Sequence, residues 1–226
     1  MNKIKYVYDS LKWIKRKKNK DDILIIENEH ILLCILFDWV SSSYNAKKWI
    51  NFIKKFIVKN INKYIFEREL NLKKIIYDSN EYLLSKGLED SFTTCSAFVL
   101  SYFNNSYKIL NIWDSRIYWI FNQYKIQFTN DDNDLFNKNL LTNFLWKRIE
   151  YNEIKEAKLD YENLKEWNIL ICSDWFYNIF EDNKLLFHKI LHYKKLWNIK
   201  RKLFKEVKNK NNDDSSYIYI LINKNV

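Results

Sequence analysis

The chain contains no proline and only one glycine in 226 residues. A single glycine cannot build a glycine-rich phosphate loop, which excludes nucleotide binding of that kind. Three cysteines, Cys34, Cys95 and Cys172, stand far apart inside apolar runs, and no CxxC spacing offers zinc or redox chemistry. Buried free thiols are expected. Histidine is equally scarce, with three in all, and neither Ser96 nor Ser173 has His and Asp partners at interpretable positions for a hydrolase triad. His188 and His192 are four apart and could share a helix face, but no third ligand lies nearby, so surface positions are expected rather than zinc. The longest apolar run, Ile31 to Phe37, is much shorter than the roughly 20 residues of a membrane span, and no signal peptide is expected. A soluble, cytoplasmic protein without a membrane partner is the expectation.

What is present is a globular composition, 47% hydrophobic and 18% aromatic, in a length ample for one core and short for two. Residues 1–226 are read as one domain. The net charge of +10, densest from Lys15 to Lys18, could be a footprint for nucleic acid. The basic residues are otherwise scattered and no nucleic-acid motif accompanies them, so no such partner is expected. Abundant Lys, Asn, Ile, Tyr and Phe are also what an AT-rich gene imposes.

Ile23 to Ile26 and Ile31 to Phe37 read as buried strands of a hairpin, separated by the polar Glu27 to His30. From Tyr44 to Lys63, and from Glu67 to Ser85, apolar residues recur at three and four, as on amphipathic helices. Strand-like runs return at Thr94 to Phe103, Tyr107 to Ile112, Arg116 to Phe121 and Lys125 to Phe128, spaced as in an antiparallel meander. Ile169 to Cys172 is a further strand, Trp175 to Glu206 is helical in pattern, and Tyr217 to Ile222 is a last strand. This order predicts a mixed α/β layered domain rather than a doubly wound parallel sheet.

Several aspartates stand where an apolar run stops: Asp38 after ILLCILF, Asp114 after KILNIW, Asp174 after ILICS, and Asp213 before SSYIYILI. One such residue is ordinarily a turn or cap. Several, held rigidly at strand ends, can converge on a cleft, where their mutual repulsion makes a divalent cation their natural partner. All-oxygen ligation favours Mg²⁺ or Mn²⁺ over zinc.

The words around these aspartates resemble those of the type 2C metal-dependent protein phosphatases, in order, from about Asp9 to Ile222. The family's G-x-x-R-x-x-N-E-D word corresponds to W-I-K-R-K-K-N-K-D from Trp13 to Asp21, and D-G-x-G-G to Asp38, Trp39, Val40, Ser41, Ser42. G-T-T is matched by Phe92, Thr93, Thr94, and G-D-S-R by Trp113, Asp114, Ser115, Arg116. L-T-x-D is similar to Phe128 to Asp131, L-T-R-x-L-G to Leu141 to Trp146, C-S-D-G to Cys172 to Trp175, and the closing D-D/N-x-T-V to Asp213 to Tyr217.

The resemblance implies a four-layer αββα sandwich, two mostly antiparallel sheets flanked by helix pairs, and hydrolysis of phosphoserine or phosphothreonine by a metal-activated water. By position, Asp38 would bridge two Mn²⁺ or Mg²⁺ ions with the Trp39 carbonyl as a further ligand, and Asp174 and Asp213 would complete the second. Asp21 would hold metal-bound water, Asp114 matches the position linked to a third, weaker ion, and Arg16 matches the arginine that grips the substrate phosphate. A phosphoprotein substrate, a paired serine/threonine kinase and a monomeric state are implied with it.

Three departures accompany the match. Lys20 puts a positive charge beside Asp21, Val40 replaces a histidine suggested as general acid in some members, and the stretch from Asp131 to Leu141 is shorter than the family's flap. An inactive pseudophosphatase that binds phosphoproteins is the alternative. Trp13, Trp39, Trp113, Trp146, Trp167 and Trp175 all fall where the family carries glycine, so backbone strain is expected there, whereas Trp49, Trp119 and Trp197 have no such counterpart.

Overall fold

Seven consecutive buried residues, ILLCILF, form β3 (Ile31–Phe37), a strand that needs cover on both faces because both are apolar. The alternation of the strand sends Ile31, Leu33, Ile35 and Phe37 to one side and Leu32, Cys34 and Leu36 to the other, into two separate apolar clusters. The computed structural model describes residues 4–38, 46–87, 93–104, 106–121, 124–129, 145, 149–160, 168–208 and 210–222.

β3 pairs antiparallel with β2 (Asp22–Glu27) and β6 (Cys95–Ser101), and β7 (Ser106–Ile112) and β10 (Glu156–Asp160) extend that sheet in the order β10-β7-β6-β3-β2. The second sheet runs β1-β12-β11-β8-β9, from β1 (Ile4–Leu11), β12 (Ser215–Ile222), β11 (Asn168–Cys172), β8 (Arg116–Phe121) and β9 (Tyr124–Gln127), again antiparallel throughout. β12 divides its side chains as β3 does: Ile218, Ile220 and Ile222 meet the even residues of β3 between the sheets, and Tyr217 and Tyr219 face outward.

Helices cover the two outer faces. α1 (Ala46–Asn60) and α2 (Leu72–Leu84) bury Ile50, Ile53, Ile57, Ile75, Ile76 and Leu83 on the first sheet. α3 (Asp174–Asp182), α4 (Lys184–Leu191) and α5 (Leu196–Lys208) pack Phe176, Phe180, Phe187, Ile199 and Leu203 against Tyr217 and Tyr219 of the second. The layers are therefore α, β, β, α, as the resemblance implied.

Three expectations need correction. The runs from Thr94 to Phe128 are not one meander, because β6 and β7 lie in one sheet and β8 and β9 in the other; the turn at residues 113–115 carries the chain across. The helix expected from Glu67 begins at Leu72, since Glu67 and Arg68 take φ of 48° and 66° in a two-residue turn joining β4 (Ile65–Phe66) to β5 (Glu69–Leu70), and the Asn71 side chain then caps the helix by accepting from Lys74 N at 3.1 Å. The Trp175 to Glu206 stretch is helical as expected, in three helices with breaks at Asn183 and after Leu191. His188 is buried against Phe180 instead of lying on the surface. The three thiols are free and buried as expected.

Candidate active site

Antiparallel pairing places strand ends in register, and the registers here gather the aspartates. Asp22 lies opposite Phe37, which sets Asp21 beside Asp38, and Cys172 lies opposite Tyr217, which sets Asp174 beside the start of β12. Stacking the sheets then joins the two pairs: the Asp174 backbone N–H donates to Asp38 Oδ2 at 3.2 Å.

Hydroxyls hold Asp38. Its N–H donates to Thr94 Oγ1 at 2.9 Å, while its carbonyl accepts from Thr93 Oγ1 at 2.7 Å and from Thr94 N at 2.8 Å. Thr94 Oγ1 in turn shares a 2.9 Å hydrogen bond with Ser115 Oγ, next to Asp114. The pair Thr93 and Thr94 thus fixes the end of β3 to the turn between the sheets.

Opposite stands the loop between β1 and β2. Asp214, 1% exposed, accepts from Trp13 N at 2.7 Å, from Lys20 N at 2.8 Å and from Arg16 Nη1 at 2.9 Å. Arg16 Nη2 also donates to Asp213 Oδ2 at 2.8 Å. The guanidinium expected to grip phosphate is therefore oriented by two adjacent carboxylates. Asp214 is the residue that the sequence reading missed; the doubled Asp before β12 was visible, but which member turns inward follows only from the strand's register. Ser216, which hydrogen-bonds the Asp21 side chain, and Ser10, whose hydroxyl lies 2.6 Å from that of Ser216, were also unforeseen.

The electrostatics show what the cluster lacks. Burial, with the charge of Asp214 adding to it against a hydrogen bond from Ser216, raises the Asp21 carboxyl to about 7. Burial and then the charges of Asp21, Asp174 and Asp114 hold Asp38 well above the ordinary carboxylate range, and burial likewise raises Asp174. Asp21 Oδ2 is buried with no hydrogen-bond partner. Lys20 is lowered by its burial and then by Arg16. An all-oxygen donor set with a buried, orphaned oxygen and mutually repelling carboxylates fits a hard divalent cation. Among the described residues no three His, Cys, Asp or Glu side chains close around one point, so the carboxylates are neighbours rather than a finished cage. Trp39 and Val40 lie outside the described residues, as do Trp146 and Trp167.

Strain is confined to one of the expected positions that can be checked. Trp113, 2% exposed, takes φ of 93°, past the left-handed well, a sparsely populated region that costs a non-glycine residue roughly 1–3 kcal/mol. Trp13 and Trp175 do not adopt positive φ. Trp13 instead lies under the cations of Lys15 and Arg16, at 5.6 and 5.8 Å.

Solved structures identify the architecture. The fold is that of bacterial serine/threonine phosphatases. A bacterial serine phosphatase matches with a TM-score of 0.79 at 18% identity over 100% of both chains. The serine/threonine phosphatase Stp1 from Staphylococcus aureus matches at 0.78 and 19%, covering 99% of this chain and 96% of its own. RsbX in complex with magnesium matches at 0.69 and 15%, over 96% of this chain and 94% of its own. No family model matches the chain, and no curated protein does. Among the described residues no helix is long and apolar enough to cross a membrane.

Proposed function

We propose that this chain is a metal-dependent phosphoprotein phosphatase acting on phosphoserine or phosphothreonine. The observation that carries the reading is the meeting of Asp21, Asp38 and Asp174 with Arg16, Asp213 and Asp214 at the mouth between two sheets of a phosphatase fold. Asp38, Asp174 and Asp213, with the Trp39 carbonyl, would hold two Mn²⁺ or Mg²⁺ ions, Asp21 would orient their water, and Asp114 would serve a third, weaker ion. When bound, such ions lower the pKa of water and offset phosphate charge.

The chain's own groups supply the rest. Thr93 and Thr94 keep Asp38 from swinging, and the N–H of Asp174 holds its Oδ2. Arg16, fixed by Asp213 and Asp214, offers a planar fork matched to two phosphate oxygens. In the reaction an oxygen–phosphorus bond to water forms, the bond to the serine or threonine oxygen breaks, and that oxygen takes its proton from solvent. The substrate is a phosphoprotein made by a kinase.

A pseudophosphatase is the second reading, favoured by the absence of a closed carboxylate cage among the described residues and by the engagement of Arg16 with two aspartates. Hydrolysis of an aryl phosphate and a phosphopeptide with added Mn²⁺ separates the two. Turnover supports the enzyme; Mn²⁺ and phosphopeptide binding without turnover supports the second reading.

A further inference from the structure

Tryptophan outnumbers glycine nine to one in this chain, although glycine ordinarily makes up about 7% of residues. The backbone shows one place where this matters. Four described residues have positive φ: Gly87 at 64°, Glu67 at 48°, Arg68 at 66° and Trp113 at 93°. The first three lie in or at the edge of the left-handed well open to side chains, and Trp113 lies beyond it, where a bulky residue is an outlier. Its turn is also the one that crosses between sheets and presents Asp114. Two more tryptophans adjoin site aspartates, Trp39 after Asp38 and Trp175 after Asp174. The Trp175 indole nitrogen is buried with no hydrogen-bond partner, as is that of Trp49.

We propose that positions 113 and 175 are glycine in the protein its host makes, being encoded by UGA codons that the host reads as glycine. UGA differs from the glycine codon GGA in its first base alone, and its common alternative reading is tryptophan. Glycine at 113 removes the Cβ that a φ of 93° crowds, and glycine at 175 removes a buried N–H with no acceptor. The two observations, a backbone angle at 113 and an orphaned N–H at 175, stand apart from the phosphatase reading. The rival account is strain kept at a functional turn, with the indole itself required.

The gene gives the first test: UGA at both codons is expected, and UGG at either overturns the proposal. Mass spectrometry of peptides from the host's own protein gives the second, with glycine expected at 113 and 175 and tryptophan at either overturning it.

The segment between β1 and β2 carries an independent observation. Lys12, Lys15, Arg16, Lys17, Lys18 and Lys20 fall within nine residues that include no carboxylate. Lys12, Lys15, Lys17 and Lys18 are exposed, while Arg16, Trp13 N and Lys20 N tie the segment to Asp213 and Asp214. A phosphate gripped by Arg16 would bring its neighbours along the peptide toward these ammonium groups, where attraction acts over a Debye length of about 8 Å at physiological salt. Resting on the phosphatase reading, we infer that the substrate segment carries acidic residues beside the phosphorylated one.

Two phosphopeptides of equal length, with glutamate or lysine flanks, test this. The acidic peptide should have a kcat/KM about tenfold higher, falling as salt rises. The triple variant Lys15→Glu, Lys17→Glu, Lys18→Glu should abolish that preference and leave aryl phosphate hydrolysis unchanged. Equal kcat/KM for the two peptides overturns the inference, as does an RNA duplex that binds more tightly than the acidic peptide. Absence of aryl phosphate hydrolysis strikes the underlying reading instead; fluorescence anisotropy with the same peptides then still decides the preference.

Discussion

The N–H of Asp174, at the start of α3, donates to Oδ2 of Asp38 at the end of β3, so one 3.2 Å hydrogen bond links the two sheets at the site. Asp38→Asn keeps the side chain's shape and one acceptor but removes a charge shared with the expected ions. Mn²⁺ affinity, read by calorimetric titration, should fall at least about tenfold. Because Asp38 is buried among like charges, the same variant without metal should melt no lower than wild type at pH 8.

The metal-free protein should lose stability as pH rises. The carboxyl of Asp21 is raised to about 7 and that of Asp38 well above its ordinary value, so between about 4 and 7 the folded state holds protons that the unfolded state has released. Stability from these groups is complete below the unfolded pKa and declines as pH climbs through the folded one. Urea denaturation from pH 5 to pH 8 in a chelator should show the decline, and Mn²⁺ should reverse it at pH 8.

Asp214 accepts from two backbone N–H groups and from Arg16 while itself nearly inaccessible. Its replacement by alanine leaves those donors and a cation without their partner, which costs about 3–5 kcal/mol. Chemical denaturation should show that loss. Asp213, whose side chain is 35% exposed, should cost far less when replaced by alanine, so the two neighbours separate a structural role from a ligand role.

Thr94→Val removes the hydroxyl that accepts from the Asp38 N–H and bonds Ser115, leaving a buried donor unmet at about 1–3 kcal/mol, whereas Thr94→Ser keeps both hydrogen bonds. Melting temperature should fall in the first variant and stay close to wild type in the second.

The central strands could be read directly because ILLCILF and SSYIYILI carry their own β-branched and aliphatic runs. β1, IKYVYDSL, escaped notice because Lys5 and Asp9 interrupt it and most of its residues are only partly buried. β10, EAKLD, escaped for want of any β-branched residue, being a sheet edge defined only by its pairing with β7. Asp38, Asp114, Asp174 and Asp213 were legible as endings of apolar runs. The sharing of Arg16 between Asp213 and Asp214 was not, since it depends on how a loop folds back across nearly 200 residues of sequence.

The central claim is that buried carboxylates at the sheet mouth hold divalent ions for phosphate hydrolysis. Its most direct test is the rate of phosphopeptide hydrolysis with and without Mn²⁺ in wild type and in Asp174→Asn. The account predicts turnover that requires the metal and falls by at least about a hundredfold in the variant, the scale on which ligand-sphere changes act. Equal turnover in the two proteins, or turnover undiminished by a chelator, would contradict it.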